Sequence, residues 1–172
     1  ASDQADCVIT TGGVSVGEED HVKAAVEAMG YLDLWKLAIK PGKPFASGKL
    51  IRANNSSVQF FGLPGNPVSA FVTFVLLVRP ALLAMQGCRE SAPKSFHLPT
   101  GFSCQKTAER QEYLRVIVVA GVNQSALMPY DNQSSGVAAS LSYSEGLAIV
   151  PPYSEIAIGD SLEYIPFSEL LN

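Results

Sequence analysis

Cysteine pairs and grouped histidines are both missing from this chain of 172 residues. The three cysteines, Cys7, Cys88 and Cys104, are odd in number, and none of them belongs to a CxxC pair. This pattern favours neither a disulfide framework nor a zinc knuckle, and it fits a reducing, cytoplasmic compartment. His21 and His97 lie far apart in the sequence, so neither a histidine-based metal site nor a Ser-His-Asp triad has support.

Charged residues are also scarce, at 16% of the chain, and the formal net charge is -4. Domains that bind nucleic acids usually carry a basic excess, so we expect no nucleic-acid partner. The most apolar run, residues 67–85, is interrupted by Arg79 and Pro80. Because spanning a bilayer needs about 20 apolar residues, we expect a buried helix here and no membrane span. The first residues lack a basic segment followed by an apolar one, so we expect no signal peptide.

The first half of the chain alternates between two hydrophobic periods. Residues 6–10 are typical of a short buried strand, whereas residues 22–29 place apolar side chains at helical spacing. Residues 57–62 form another apolar run, and a second helical pattern begins at Asn66 and Pro67. This order predicts an α/β layer with a mostly parallel sheet. Such sheets usually have more strands, so we expect the chain to be the C-terminal part of a longer protein.

The second half of the chain has a different hydrophobic pattern. A polar stretch with two prolines, residues 88–101, is followed by short β-like runs separated by glycine, proline, asparagine and aspartate. Several short strands with turn signals predict a small all-β, barrel-like domain. These runs are residues 112–119, 126–129, 147–150, 155–158 and 161–167. We therefore predict two domains, residues 1–88 and 89–172.

The segment TTGGVSVGEED, residues 10–20, stands between the first predicted strand and the first predicted helix. Gly12, Gly13 and Ser15 would let backbone N–H groups approach phosphate oxygens, next to the positive end of the helix. Asp20 has two equally good interpretations. It can be a helix N-cap, or it can be a ligand of Mg²⁺, which commonly binds carboxylates together with phosphate oxygens. For residues 10–20, the sequence supports a structural turn and a phosphate-binding site about equally.

Basic residues concentrate around WKLAIKPGKPF, residues 35–45. If residues 32–40 are one strand, Lys36 and Lys40 point to one face, about 13 Å apart, and the Pro-Gly turn brings Lys43 close to Lys40. The segment is then either an edge strand protected by lysine or a cationic receptor for an oxyanion.

A second glycine-rich helix start, FGLPGNPVSA, spans residues 61–70. Gly65, Asn66 and Ser69 have the residue types of an anion-binding helix N-terminus, although capping alone also explains Asn66. Two such loops in one sheet, with lysines between them in the sequence, favour an anion-binding cleft. Arg110 and the turn at Ser134 and Ser135 are ordinary surface features by the same criteria.

These three segments, in this order, resemble the molybdopterin molybdenumtransferases of the MoeA type, which include the E domain of gephyrin. The resemblance implies a partial MogA-like molybdopterin-binding domain, followed by a small C-terminal β domain. It also implies an activity in molybdenum cofactor biosynthesis, in which molybdate is inserted into adenylated molybdopterin with Mg²⁺-dependent release of AMP. The family's chains are longer, so this fragment alone could lack that transferase activity.

By position, the resemblance assigns roles to residues in all three segments and beyond. Asp20, Lys36 and Lys40 are predicted as catalytic, and Asp20 also as the metal-proximal residue. The predicted cofactor and molybdate contacts are Gly12, Gly13, Ser15, Lys40, Lys43, Gly65, Asn66, Ser69, Arg110, Ser134 and Ser135.

The resemblance also suggests partners. The full-length protein is expected to be a homodimer, and a MogA-type adenylyltransferase is a possible supplier of its substrate. The alternative is a binding module without catalysis, since the gephyrin E domain uses the same fold to grip receptor peptides.

Overall fold

The structure is a computed structural model and describes residues 2–14, 21–121 and 124–171. In this part of the chain the strands are β1 (Cys7–Thr11), β2 (Gly30–Trp35), β3 (Ile39–Lys40), β4 (Ala46–Ile51), β5 (Ser57–Leu63), β6 (Phe96–Pro99), β7 (Gln111–Val119), β8 (Ala126–Pro129), β9 (Gly146–Val150) and β10 (Ser161–Pro166). The helices are a short 3-10 turn (Ser2–Gln4), α1 (His21–Met29), α2 (Pro67–Thr73), α3 (Arg79–Met85), α4 (Ala139–Ser142) and α5 (Phe167–Leu171).

The first sheet has four strands in the order β1-β5-β4-β2. β1 pairs with β5 in parallel, but β4 pairs with both β5 and β2 in antiparallel fashion. The prediction of a mostly parallel sheet is therefore wrong, because the connection from β4 to β5 is a tight turn. Its backbone closes between Arg52 and Ser56, and the Asn54 side chain accepts the Ser56 N–H at 3.0 Å. A connection this short allows only antiparallel pairing.

The second sheet has six strands and is also mixed. Its order is β3-β7-β9-β10-β6, with β8 beside β7, and β3 pairs with β7 in parallel. The predicted barrel is not found in the described part of the chain, since a barrel needs a continuous ladder between its last strands. The end of β6 meets β8 only through a single bridge between Thr100 and Leu127. The run at residues 155–158 likewise forms only one bridge, from Ile156 to Cys104, whereas β6 was missed by the sequence pattern.

One long helical segment links the two sheets. α2 continues through a π-helical turn (Phe74–Val78) into α3, where Pro80 supplies no backbone N–H to the ladder. Val72 and other buried residues of this segment pack against Leu147 of β9, and Val78 packs in the core of the first sheet beside Phe61. The two layers therefore share this helical segment.

The same segment, Pro67–Met85, is apolar and long enough to cross a membrane, with a mean hydropathy of 2.1 in its best window. That criterion rests on length and composition alone, and the core helix of a globular protein also meets it. Since 33% of the window is buried inside the protein, the segment is weak evidence for a membrane span.

The boundary near residue 88 stays a prediction. The polar connection between α3 and β6 lies where the sequence places it. Contacts nevertheless cross this point, because β3 belongs to the first half of the chain but pairs with β7 in the second sheet. This crossing decides the geometry of the site.

Candidate functional site

An excursion between β2 and β4 carries the lysines away from the first sheet. Lys36 has a φ of 85°, which ends the extended run, and its N–H donates to the Phe45 carbonyl at 2.8 Å. The Leu37 N–H donates to the Lys43 carbonyl at 2.9 Å, so the excursion closes on itself. The prediction of one strand over residues 32–40, with Lys36 and Lys40 on one face, is therefore wrong. The left-handed backbone at Lys36 breaks the alternation on which it rested.

The tip of the excursion is fixed between β7 and α2. In the parallel pairing of β3 with β7, Lys40 lies opposite Glu112. Gly42 follows with a φ of 121°, and a Cβ atom at this position would come within 2.7 Å of the Thr73 methyl group. Glycine therefore allows the Pro-Gly turn to lie directly against α2. The turn therefore contacts the last residue of α2, while Lys40 and Lys43 line a cavity together with Asn66 and Ser69 at the start of that helix.

The start of α2 is joined to the loop that follows β8. Asn66 occupies the N-cap position with an extended backbone, but its side chain makes no capping hydrogen bond. Instead the Asn66 Nδ2 donates to the Ser135 Oγ at 3.2 Å, and the Val68 N–H donates to the Ser135 carbonyl at 3.1 Å. The predicted N-cap is thus right in position, while its side chain holds a loop from the second sheet.

A buried arginine of β7 shapes the same loop. The Arg115 side chain is 1% exposed, and its guanidinium donates to the carbonyls of Asn132 and Ser134 at 3.1 and 3.3 Å, and to the Ser140 Oγ at 3.2 Å. Burial lowers the pKa of this guanidinium. Gln133 adds a second clamp, since its amide accepts the Arg115 N–H at 3.0 Å and donates to the Arg115 carbonyl at 2.9 Å. The loop is therefore held rigidly against β7.

These three segments and the residue before β7 enclose one cavity of about 380 Å³. Its walls carry three basic side chains, three serine hydroxyl groups and two side-chain amides, and no carboxylate contributes to the lining given by the described residues. The lining consists of Lys40, Pro41, Gly42, Lys43, Pro44, Asn66, Ser69, Arg110, Gln133, Ser134 and Ser135. Such a surface offers N–H and O–H donors and positive charge, which suits a polyatomic anion.

Comparison with known proteins identifies the family to which this chain belongs. Residues 1–84 match the family described as a probable molybdopterin binding domain, and residues 97–167 match the MoeA C-terminal region, domain IV. The chain belongs to the MoeA family of molybdopterin molybdenumtransferases. This confirms the resemblance carried by the three sequence segments.

Individual MoeA relatives agree with this assignment. A molybdopterin molybdenumtransferase of Haemophilus influenzae is 49% identical over 116 residues, which are 67% of this chain and 28% of that protein. A molybdopterin molybdenumtransferase of Staphylococcus aureus is 29% identical over 88% of this chain and 35% of its own length. A solved MoeA structure from Pyrococcus horikoshii superimposes with a TM-score of 0.70 at 25% identity, covering 96% of this chain and 38% of that one. The chain thus spans about a third of the length of these MoeA relatives.

The structure brings together many of the site residues predicted from the MoeA resemblance. Those that line the cavity are Lys40, Lys43, Asn66, Ser69, Arg110, Ser134 and Ser135. Lys36 is exposed and is not among the lining residues, while Ser15 and Asp20 lie outside the described residues.

The predicted glycines meet at the carboxyl ends of neighbouring parallel strands. Gly12 and Gly13 follow β1 with φ values of 78° and 70°, and the Gly12 N–H donates to the Leu63 carbonyl of β5 at 2.9 Å. A Cβ atom on Gly65 would lie 3.7 Å from the Gly12 Cα. The two glycine-rich loops therefore touch at one sheet edge. Gly12, Gly13 and Gly65 are absent from the cavity lining given by the described residues, although Gly65 directly precedes the lining residue Asn66.

Sequence reasoning assigned no role to three residues that shape this cavity. Glu112 pairs with Lys40, Gln133 lines the cavity, and Arg115 holds the loop that carries Ser134. Glu112 could have been predicted only from its place in β7 opposite Lys40, and that place is known only once the register between β3 and β7 is known. Arg115 lies among apolar residues of a strand, and a buried arginine in such a run is a hint of internal hydrogen bonds.

The metal prediction rests on Asp20 and stays a prediction. The part of the chain that the structure describes contains no group of three histidine, cysteine, aspartate or glutamate side chains that could hold a metal ion. Mg²⁺ commonly takes only one or two carboxylates together with phosphate oxygens. A magnesium site of this kind does not require a group of three such side chains, and Asp20 lies outside the described residues.

Proposed function

We propose that this chain supplies the oxyanion-binding half of a site that inserts molybdate into adenylated molybdopterin. The observation that carries the proposal is the cavity in which Lys40, Lys43 and Arg110 converge with the hydroxyl groups of Ser69 and Ser134. Family membership suggests the class of reaction, and the cavity suggests which step these residues carry out, namely the binding of the oxyanion.

A tetrahedral dianion matches this cavity in charge and in hydrogen bonding. Charge-assisted hydrogen bonds from ammonium and guanidinium groups are roughly twice as strong as neutral ones, and they need no covalent chemistry from the protein. Lys40 and Lys43 approach from the excursion, Arg110 approaches from the residue position just before β7, and Ser69 approaches from the first turn of α2. Donors from different elements can surround an oxyanion on several sides, which favours a compact tetrahedral anion over a flat or extended one.

The glycine loops at the ends of β1 and β5 are proposed to receive the phosphate groups of the adenylated pterin. Gly12, Gly13 and Gly65 lie at the carboxyl ends of parallel strands, where α/β sheets bind ligands. Ser15 and Asp20 extend this proposal into residues 15–20. Mg²⁺ bound near Asp20 would neutralise the pyrophosphate, and the steps assigned here to the lysines, Arg110 and the serines do not depend on it.

Catalysis by these residues is proposed to be electrostatic and positional. Preorganised cations lower the cost of bringing a dianion beside a phosphorylated pterin, because they cancel the repulsion between the two anions. The side chains of Lys40 and Lys43 would orient molybdate, and the catalytic role of Lys36, which does not line the cavity, stays a prediction from the family resemblance. In the proposed reaction the oxygen of one water molecule adds to one phosphorus of the pyrophosphate as the P–O–P bond breaks. AMP then leaves with its own phosphate, and the pterin keeps the other phosphate.

The cellular setting belongs to the same proposal. A cytoplasmic location, a homodimeric full-length protein and a MogA-type adenylyltransferase as supplier of the adenylated pterin all follow from the family resemblance. In the full-length protein, Mg²⁺-dependent release of AMP from adenylated molybdopterin on addition of molybdate would test the complete reaction.

The anion cavity can be tested directly with the 172-residue chain. Isothermal titration with tungstate, a stable analogue of molybdate, is expected to show binding that Lys43→Ala weakens about tenfold, the effect of one lost charge-assisted hydrogen bond. Lys106→Ala is the matched control, because Lys106 is exposed and lies outside the cavity lining. Absence of tungstate binding, or equal losses from both variants, would contradict the proposal.

A further inference from the structure

One acidic side chain contacts a lysine of the anion cavity but does not line the cavity itself. The Lys40 Nζ lies 3.1 Å from Glu112 Oε1 and 3.2 Å from Oε2. The Lys40 side chain is 55% exposed, whereas that of Glu112 is only 18% exposed. Among the described residues, the other two cavity cations, Lys43 and Arg110, have no ion pair. Lys40 therefore differs from them in already holding an anion.

Backbone pairing fixes this contact. β3 consists of two residues, and its parallel pairing with β7 sets Ile39 opposite Gln111 and Lys40 opposite Glu112. Glu112 lines a small cavity of about 30 Å³ together with Lys40, Pro41 and Gln133, all of which also line the main cavity. Glu112 itself is absent from the main lining. The carboxylate thus contacts Lys40 without contributing to the lining of the main cavity.

We propose that Glu112 is an internal counter-anion that competes with a bound oxyanion for the Lys40 ammonium group and thereby limits the affinity of the cavity. This inference rests on the proposed function of the cavity as an oxyanion site. Glu112 is a positioning residue in this role, since it acts through Lys40.

The charge balance gives the physical reason. Lys40, Lys43 and Arg110 carry three positive charges, and Glu112 reduces the local sum to that of a dication, which matches a tetrahedral dianion. An incoming anion must share the Lys40 N–H donors with the carboxylate and also meets its repulsion. A site that passes its anion on to a second substrate gains from such a limit, because an oxyanion held by three unopposed cations would leave slowly.

The test compares Glu112→Gln with the native chain by isothermal titration at constant ionic strength. Glutamine keeps the size of the side chain and removes its charge. Tungstate is expected to bind about tenfold more tightly to the variant, as one unit charge at short range in a solvated site implies. Perchlorate, with the same tetrahedral shape and half the charge, should gain only about threefold. Glu112→Ala should also bind tungstate more tightly, so a folding defect of one variant does not decide the result.

Glu155→Gln is the charge-matched control, since Glu155 is exposed and lines neither cavity. It should leave the tungstate affinity unchanged. If native chain and Lys43→Ala behave as proposed but both Glu112 variants bind tungstate equally well or more weakly, the counter-anion role is wrong and the cavity proposal stands. If neither the native chain nor any Glu112 variant binds tungstate, both proposals fall.

Discussion

Tungstate binding is expected to fall by about a hundredfold or more when Lys40 and Lys43 are both replaced by alanine. The two ammonium groups come from a single excursion and line one cavity. Each charge-assisted hydrogen bond contributes about 1.5–3 kcal/mol, so loss of both removes at least two factors of ten. The double variant also leaves the Glu112 carboxylate without its partner beside the cavity, which adds repulsion toward any anion.

The measurement is isothermal titration with tungstate, supported by far-ultraviolet circular dichroism to show that the fold is retained. The matched control replaces two lysines outside the cavity, Lys49 in β4 and Lys106 in the loop before β7. It changes the net charge by the same amount. A double cavity variant that retains affinity within a few-fold of this control would show that the lysines do not hold the anion.

Replacing Arg115 with methionine is expected to destabilise the fold by about 3 kcal/mol. Methionine approximates the length of the arginine but leaves the carbonyls of Asn132 and Ser134, and the Ser140 hydroxyl group, without the donor that they share. Each unsatisfied buried polar group costs about 1–3 kcal/mol. Because the loop carries Ser134 and Ser135 into the cavity, tungstate affinity should fall as well.

Urea denaturation followed by circular dichroism measures the free energy of unfolding of this variant. Arg89→Met is the matched control, since Arg89 is exposed in the connection after α3, and it should change the stability by less than about 0.5 kcal/mol. Arg115→Lys keeps the charge but offers a different donor geometry, so it should lie between native protein and Arg115→Met. Equal stabilities of Arg115→Met and Arg89→Met would mean that the loop is held by Gln133 and the backbone alone.

Some of the site could be predicted because its signals are local. Asn66 and Pro67 mark a helix start by their own conformational preferences, and Gly12 and Gly13 mark a turn that needs positive φ. The concentration of lysines around a Pro-Gly turn is visible without any tertiary information. Matching three such segments to one family then also predicted cavity residues, such as Arg110 and Ser134, that local sequence preferences do not single out.

Other features could not be read from the chain. The parity argument for Lys36 and Lys40 failed because one residue with positive φ redirects the backbone, and lysine has no intrinsic preference that announces this. The pairing of Lys40 with Glu112 joins residues 72 positions apart. Nothing in either local sequence specifies the register that brings them together.

By itself, the sequence determined the first helix, the helix that begins at Pro67, several of the strands, the family, and the chemical character of the glycine-rich and lysine-rich segments. It could do so because hydrophobic period, turn residues and helix starts depend on neighbours within a few positions along the chain. Only the tertiary structure decided the mixed pairing of both sheets, the transfer of β3 to the second sheet and the clamping of the serine loop by Arg115. Those outcomes depend on which distant surfaces bury each other and on which polar groups must then find partners, and such constraints act on the folded chain as a whole.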